Sequence, residues 1–551
     1  MKNNNKFRLD VWGFITLAMI ALYLLFMIYP MGYLIRQSVW NPETGAFTWE
    51  NFSKFFSKSY YFDTLFNSFK VSIAATVLSL VIGTPLAYLF SIYKIRGKSI
   101  LSIMIVVASM SAPFIGAYSW ILLLGRSGVI TEFFAKLGIS TPTIYGFWGI
   151  VLVMTLQLFP LVFLYARGAL KNIDNSLLEA SKNLGCAGVR CFLKVVIPLI
   201  MPTLLAAALL VFMRSFADFG TPMLIGEGYR TFPVILYTEF INEVGGNDGF
   251  AAAIAVIAIV ITTLVFLVQK YVSNRKSFSL NALHPMEEKK AKGAVNFLVH
   301  LFSYLVVGIA ILPQCYVIYT SFKNTEGKIF VEGYSLESYA TAFGKLGKSI
   351  QNTLIIPLIA LAAIILLAIL IAYLVVRRRN TLTSVVDVLS MIPYIIPGTV
   401  LGIALLIGFN KPPILISGTM LIMVVALVIR RLPYTIRSSV AILQQIPMSI
   451  EEAAISLGAS KMKAFFRITV PMMTAGIVSG AILSWVTMIS ELSTAIILYT
   501  GRTKTLTIAI YTEVIRGNYG TAAALSTIMT VLTVISLLVF TKLNGGKDLS
   551  L

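Results

Sequence analysis

Charged side chains are scarce in this sequence. Lys, Arg, Asp and Glu together make up 12% of its 551 residues, where a soluble chain carries about 25%. That deficit excludes a soluble globular protein of ordinary composition. Cysteine is nearly absent. Cys186, Cys191 and Cys315 are too few for a disulfide framework. Cys186 and Cys191 have no second pair with which to complete a zinc site, so packing roles are expected for all three. The histidines are His284 and His300, and ligation needs several convergent donors. Structural roles are expected for both. Acidic residues are few as well: 23 against 44 Lys and Arg, for a formal net charge of +21. In a soluble protein such a balance would suggest nucleic acid. Here an uneven distribution of base across a membrane is the better account.

What the chain has in abundance is apolar length. Hydrophobic residues make up 58%, and mean hydropathy is +0.86. Several runs reach about 20 residues, enough to cross a bilayer as helices. The first, from Val11 to about Ile35, exceeds the apolar core of a signal peptide and lacks a small-residue cleavage site, so it is read as a span. About twelve spans are expected: near 11–35, 65–91, 99–123, 144–165, 196–216, 251–270, 297–319, 351–376, 382–409, 418–429, 470–488 and 522–541, the tenth being short as drawn and expected to extend toward Pro433. With both termini inside, the cytoplasmic loops collect Lys94, Arg96 and Lys98; Arg167, Lys171, Lys182, Arg190 and Lys194; and, in the second half, Arg377 to Arg379, Arg430, Arg431, Arg437, Lys461, Lys463 and Arg467. The outer loops collect acids, among them Glu50, Asp63, Glu227, Glu239, Glu332, Glu337, Glu491 and Glu513. One register satisfies every loop.

The stretch 271–296 is polar and reads as a cytoplasmic linker between transmembrane domains at 1–270 and 297–551. These two domains repeat each other. Residues 179–198 read EASKNLGCAGVRCFLKVVIP, and residues 452–471 read EAAISLGASKMKAFFRITVP. Glu179 aligns with Glu452, Gly185 with Gly458 and Pro198 with Pro471, always 273 residues apart (452 − 179). Fainter echoes pair Asn67 with Asn352, Ala87-Tyr88 with Ala372-Tyr373, and Asp218 with Glu491. An even number of spans per half gives parallel repeats about an axis along the membrane normal, with a pathway expected between them. The fold class is therefore all-α: a polytopic membrane protein of two parallel six-helix repeats.

Each repeated loop lies on the cytoplasmic side. Ser176 and Glu179, and Ser449 and Glu452, have the spacing of a capping box. The small residues Ala180, Ser181, Ala453 and Ala454 permit close approach of another surface. Gly185 and Gly458 suit a left-handed turn between two short helices. Pro198 and Pro471 open the next spans. A capped helix outside the bilayer, with a small-residue face and a glycine bend, suits docking into a cleft on a soluble partner.

This pattern resembles the cytoplasmic loop of binding-protein-dependent ABC importer permeases: Glu-Ala-Ala, three residues, Gly, nine residues, Ile, one residue, Leu, Pro. The second copy matches at Glu452, Ala453, Ala454, Gly458, Ile468 and Pro471, with Val470 in the Leu position. The first matches at Glu179, Ala180, Gly185 and Pro198, and departs at Ser181, Val195 and Ile197. The resemblance covers both halves. It implies that each loop couples to one of two ATP-binding cassette subunits on the cytoplasmic side. It also implies an extracytoplasmic solute-binding protein, no nucleic-acid partner, and a bacterial inner-membrane location within lipid. No cofactor is expected on this chain. A P-loop needs Gly, four residues, then Gly-Lys-Ser/Thr, and Gly97-Lys98-Ser99 and Gly347-Lys348-Ser349 have Ile92 and Ala342 where the first Gly belongs. ATP would be used by the partner subunits, so the chain itself is not read as an enzyme.

Flanking sequences resemble the ferric iron branch: Asp218-Phe-Gly-Thr-Pro222, Pro393-Tyr-Ile-Ile-Pro-Gly398, Glu491-Leu-Ser-Thr494 and Gly517-Asn-Tyr-Gly-Thr-Ala-Ala523. Branches for thiamine, aminoethylphosphonate and polyamines share much of this. Asp218 and Glu491 follow spans that start near Pro198 and Pro471, which places both toward the outer end. As a pair they would line the pathway and attract a cation, or each would cap a helix. Gly398 and Gly402 form a small-residue step for helix packing. Two other classes compete. An ion-coupled secondary transporter would carry carboxylates inside its spans, and few are seen. A membrane enzyme would show a nucleophile–base or metal motif, and none is found.

Overall fold

The computed structural model describes residues 10–41, 44–110, 113–186, 188–241, 248–275 and 288–543. Lys2, Lys6, Arg8, Lys276, His284, Lys547 and the middle of the expected linker, residues 276–287, lie outside the described residues. The principal helices are α1 (Val11–Ser38), α2 (Ser59–Ile92), α3 (Lys98–Met110), α4 (Pro113–Leu124), α5 (Phe147–Leu170), α6 (Asn175–Asn183), α7 (Ile197–Phe216) and α8 (Asp248–Arg275). The second half continues with α9 (Gly293–Thr320), α10 (Glu337–Arg377), α11 (Thr381–Ile395), α12 (Gly398–Gly408), α13 (Met420–Gln445), α14 (Ser449–Ser456), α15 (Val470–Ile489), α16 (Leu506–Arg516) and α17 (Tyr519–Leu543). Two short hairpins, Trp40–Asn41 with Ala46–Phe47 and Lys323–Glu326 with Ile329–Tyr334, are the only sheets among the described residues. Nine described helices are long and apolar enough to cross a membrane, or eleven if each of two sharply bent pairs is one span.

That count departs from twelve for local reasons. The expected span 99–123 divides into α3 and α4. The expected span 382–409 is a bent pair, α11 and α12, turning through 112°. Pro397 and Gly398 stand at the break, where proline cannot donate the next helical bond. The tenth span, drawn at 418–429 and expected to extend toward Pro433, runs beyond that proline to Gln445. Arg430 and Arg431 therefore lie near the middle of a buried helix and not in a cytoplasmic loop. The hydropathy signal stops at the first charge, although a charge can enter a span when a partner meets it.

Within each half the same three helices form the core. α2 packs on α5 and α7; α10 packs on α13 and α15. Small residues set the spacing. A Cβ on Gly83 would fall 2.8 Å from the Phe159 carbonyl oxygen, and one on Gly480 would fall 2.6 Å from Thr435 Cα. The faint echoes have physical roles as well. Asn67 Nδ2 donates to the Arg230 carbonyl (3.1 Å) and Asn352 Nδ2 to the Arg502 carbonyl (2.9 Å). The adjacent hydroxyls, Ser68 and Thr353, accept from Phe232 N and Leu506 N at 2.7 and 2.6 Å. In both halves an Asn-hydroxyl pair pins the start of a short helix, Phe232–Ile241 in the first and α16 in the second, satisfying a backbone donor that the helix leaves orphaned.

The first helix of each half crosses to the other. α1 packs on α10, α11 and α12, with the Trp12 ring 4.4 Å from Tyr373 and 5.0 Å from Phe465. α9 packs on α3 and α4 of the first half and on α17. The described end of the linker is also tied down. Lys289 N donates to the Ile92 carbonyl (2.7 Å), Lys94 N to the Lys289 carbonyl (3.1 Å), and Lys98 pairs with Glu288. His300 Nε2 accepts from Arg96 N at 3.2 Å, a structural contact. Three π turns, Leu24–Ile28, Phe192–Val196 and Phe465–Thr469, each end two residues before a proline (Pro30, Pro198, Pro471). The missing proline N–H perturbs the ladder there and widens one turn.

Candidate functional site: paired elbows and the turns between the halves

The two repeated loops fold alike. α6 ends with Leu184 N donating to the Ala180 carbonyl (3.1 Å), Gly185 N to Lys182 (3.0 Å) and Cys186 N to Ser181 (2.9 Å). α14 ends with Leu457 N on Ala453 (3.0 Å), Gly458 N on Ile455 (2.9 Å) and Ala459 N on Ala454 (3.0 Å). This is a Schellman-type closure, which requires a left-handed residue. Gly185 has φ 78° and Gly458 φ 90°. Glu179, Ala180, Gly185 and Pro198 are exposed, as are Glu452, Ala453, Gly458 and Pro471.

The expected capping boxes do not form. Asp174 caps α6, accepting from Ser176 N at 2.9 Å, and Glu179 instead accepts from Asn175 Nδ2 at 2.8 Å. α14 begins after Met448 without a side-chain cap. Ser449 is the first residue of its helix and Ser176 the second of its own, one and two steps past the capping position. Cys191 is buried and Cys186 half-buried, but Cys315 on α9 is exposed, so it does not pack in the core as expected.

The composition-based reading passes over two leucines. Leu184 is 87% exposed and Leu457 is 90% exposed. A single exposed leucine is ordinary. Two at equivalent positions, each against a glycine bend, make a matched pair of apolar knobs. The signal was present in the sequence as the Leu-Gly dipeptide in both copies.

The elbows are braced differently. Under the second, Arg377 Nε meets Glu451 Oε1 at 3.0 Å, Tyr373 donates to Glu451 Oε2 at 3.2 Å, and Arg377 Nη2 donates to the Ile446 carbonyl at 2.7 Å. In the first repeat Leu178 stands where Glu451 does, and the brace is apolar. A ring pair is kept in both: Tyr88 with Phe192 at 4.5 Å, and Tyr373 with Phe465 at 4.8 Å.

Asp218 and Glu491 sit in equivalent turns after α7 and α15. Both cap. Asp218 Oδ2 accepts from Thr221 N and Glu491 Oε1 from Thr494 N, each at 3.1 Å. The turns meet across the halves: a Cβ on Gly220 would lie 3.0 Å from Phe114 Cβ and 3.4 Å from Leu492. Nearby, Phe219 contacts Tyr237 (4.5 Å) and Tyr511 (6.1 Å), and Tyr118 donates to the Tyr519 carbonyl at 2.7 Å. Glu491 does more than cap. Its Oε2 lies 3.3 Å from Arg430 Nε and also pairs with Arg431. Arg430 Nη1 donates to Thr494 Oγ1 at 2.7 Å. A Cβ on Gly398 would overlap the Arg430 guanidinium, so the glycine at the 112° bend makes the room that the buried arginine fills. Of the two roles expected for this carboxylate, cation attraction or capping, Glu491 takes the cap, and its other oxygen is held by two guanidinium groups.

Two parallel repeats of apolar helices, each with a solvent-facing elbow, joined along a seam of turns, define a membrane permease. A family model described as binding-protein-dependent transport system inner membrane component matches residues 68–278 and again 364–546. The chain belongs to this family and is an ABC importer permease. It is similar to the ferric transport system permease protein FbpB of Actinobacillus pleuropneumoniae, 29% identical over 542 residues, covering 96% of this chain and 78% of that protein. A putative ferric transport system permease protein FbpB 1 of Haemophilus influenzae is 28% identical, over 89% of this chain and 78% of its own length. The spermidine/putrescine transport system permease protein PotB of Haemophilus influenzae is 26% identical over 48% of this chain and 93% of its own length. These relatives are transport permeases and not enzymes.

Proposed function

We propose that this chain supplies both halves of the translocation pathway of an ATP-driven importer, with domains at 1–270 and 297–551 and both termini cytoplasmic. Two ATP-binding cassette subunits would seat on the elbows, one at Glu179, Ala180 and Gly185 and one at Glu452, Ala453 and Gly458. Pro198 and Pro471 would mark where each elbow rejoins its span. The observation that carries this is the matched exposure of Leu184 and Leu457 beside identical helix closures. An apolar knob facing water gains when a cleft covers it. A binding protein would deliver cargo to the opposite face, and Asp218 and Glu491 would shape the turns along the pathway.

The cargo we propose is ferric iron, supported by the likeness of nearly the whole chain to two permeases named for ferric transport. Polyamine import is the second reading, supported by the half-length likeness to PotB. Uptake of radiolabelled ferric iron, spermidine, thiamine and aminoethylphosphonate by cells with and without the gene tests both. Loss of iron uptake alone supports the first reading, and loss of spermidine uptake alone replaces it with the second.

A further inference from the structure

One helical turn from the capping turns, toward the cytoplasmic end of the spans, four helices bring cations and phenols together. Arg214 lies on α7, one turn before Asp218. Tyr434 lies on α13, one turn after Arg430 and Arg431. The Arg214 charge acts on Tyr165 of α5 and Tyr394 of α11, and together with Arg431 and Arg430 it acts on Tyr434. The Tyr394 and Tyr434 rings are 5.2 Å apart, and Arg431 lies 5.9 Å from the Tyr434 ring. Two of these helices belong to each half. Even so, Arg214 is exposed and Tyr394 is 40% exposed. The cluster is thus reachable at Arg214 in the first half and Tyr394 in the second, while the Arg430 and Arg431 side chains, 17% and 11% exposed, are mostly covered.

The charges in that cluster do not cancel. Glu491 answers two guanidinium groups with one carboxylate. Arg431 Nε is buried with no hydrogen-bond partner among the described residues. Arg214 makes no ion pair among the described residues, and Asp218 is turned to the backbone N–H of Thr221. Guanidinium forks match carboxylate and phosphate oxygens two at a time, and phenol O–H groups add neutral donors. A bare cation would meet net positive charge here.

We infer that the cluster of Arg214, Arg430, Arg431, Tyr165, Tyr394 and Tyr434 is an oxyanion-binding station, so that cargo crosses as a carboxylate- or phosphate-bearing species and not as a naked cation. On the ferric reading, on which this rests for the identity of the metal, iron passes with an oxyanion ligand still attached. The oxyanion has two possible sources: a free acid that is itself the cargo, or a ligand carried on the metal.

The test is equilibrium binding to the purified full-length chain in lipid nanodiscs. The probes are labelled citrate, inorganic phosphate, ferric citrate, spermidine and hexaamminecobalt(III), the last a trivalent cation with no oxygen ligand. The inference expects ferric citrate to be held and neither cation to be held. It expects Arg214→Ala to weaken ferric citrate by about tenfold or more, and Arg214→Lys to recover part of that loss. Both variants are to be compared with wild type by size-exclusion profile, so that misfolding is seen. Iron-free citrate or phosphate held as tightly as ferric citrate supports the station and counts against the ferric reading. Spermidine or hexaamminecobalt(III) held in place of the anions overturns the station and leaves the importer assignment standing. Failure of wild type to hold any oxyanion, or undiminished binding by a folded Arg214→Ala, overturns it as well.

Discussion

Glu491 holds two arginines with one carboxylate while its other oxygen caps a turn, and its side chain is 4% exposed. Removing one member of a buried ionic cluster leaves charge unanswered, at a cost of about 3–5 kcal/mol. Glu491→Gln is therefore expected to lower the thermal midpoint and the yield of monodisperse protein. Asp218→Asn should be mild, below about 1 kcal/mol, because asparagine caps as well as aspartate. The two turns are symmetric in sequence, so equal losses would refute this distinction. Gly398→Ala should resemble Glu491→Gln, since its methyl would displace the Arg430 guanidinium. A count of charges could not separate these roles. Asp218 and Glu491 look equivalent in sequence, and the partner that divides them is 60 residues away in the chain, Arg431 against Glu491.

At the level of the element, the elbow is the unit to which the proposed function gives the coupling role, and its local design was readable in advance. The glycine spacing, the proline and the repeat all pointed to a short helix, a left-handed turn and a new span. What escaped was the capping chemistry, because Ser176 and Ser449 match the box pattern while lying inside the helix. Charge reversal by Glu179→Lys or Glu452→Lys should reduce uptake while leaving membrane insertion and abundance unchanged. Leu184→Asp and Leu457→Asp should reduce uptake by roughly 30-fold, the loss expected of a buried hot spot. Transport assays beside immunoblots of membranes would check both pairs, and normal uptake by the leucine variants would remove the docking role. The second elbow should also depend on its brace: Arg377→Ala should impair it, whereas Leu178→Ala should disturb the first elbow only through packing.

For the whole molecule, the apolar runs and the distribution of base made the all-α class, the repeat and most spans legible. Hydropathy averages along the chain, however, so it could not reveal the bend at Pro397-Gly398 or the continuation of α13 past Pro433 to Gln445. Nor could it show that α1 and α9 each pack on the opposite half, which depends on which apolar faces meet. That exchange predicts that fragments 1–275 and 288–551, expressed together, will copurify as one complex. Purification of either fragment free of the other would show that the crossed helices do not hold the halves. Cysteines in place of Trp12 and Tyr373, whose rings lie 4.4 Å apart, should be joined by a bifunctional thiol reagent.

The braces and the guanidinium cluster both fall on one side of the pseudo-twofold: Leu178 stands opposite Glu451, and Gln157 and Leu158 stand opposite Arg430 and Arg431. Identical subunits would have to duplicate every ionic feature they possess and force like charges to confront each other across the axis. A single polypeptide escapes that constraint. A balanced mechanical stroke from below can act on a lopsided lining, and selection can tune one wall of the conduit without touching its twin.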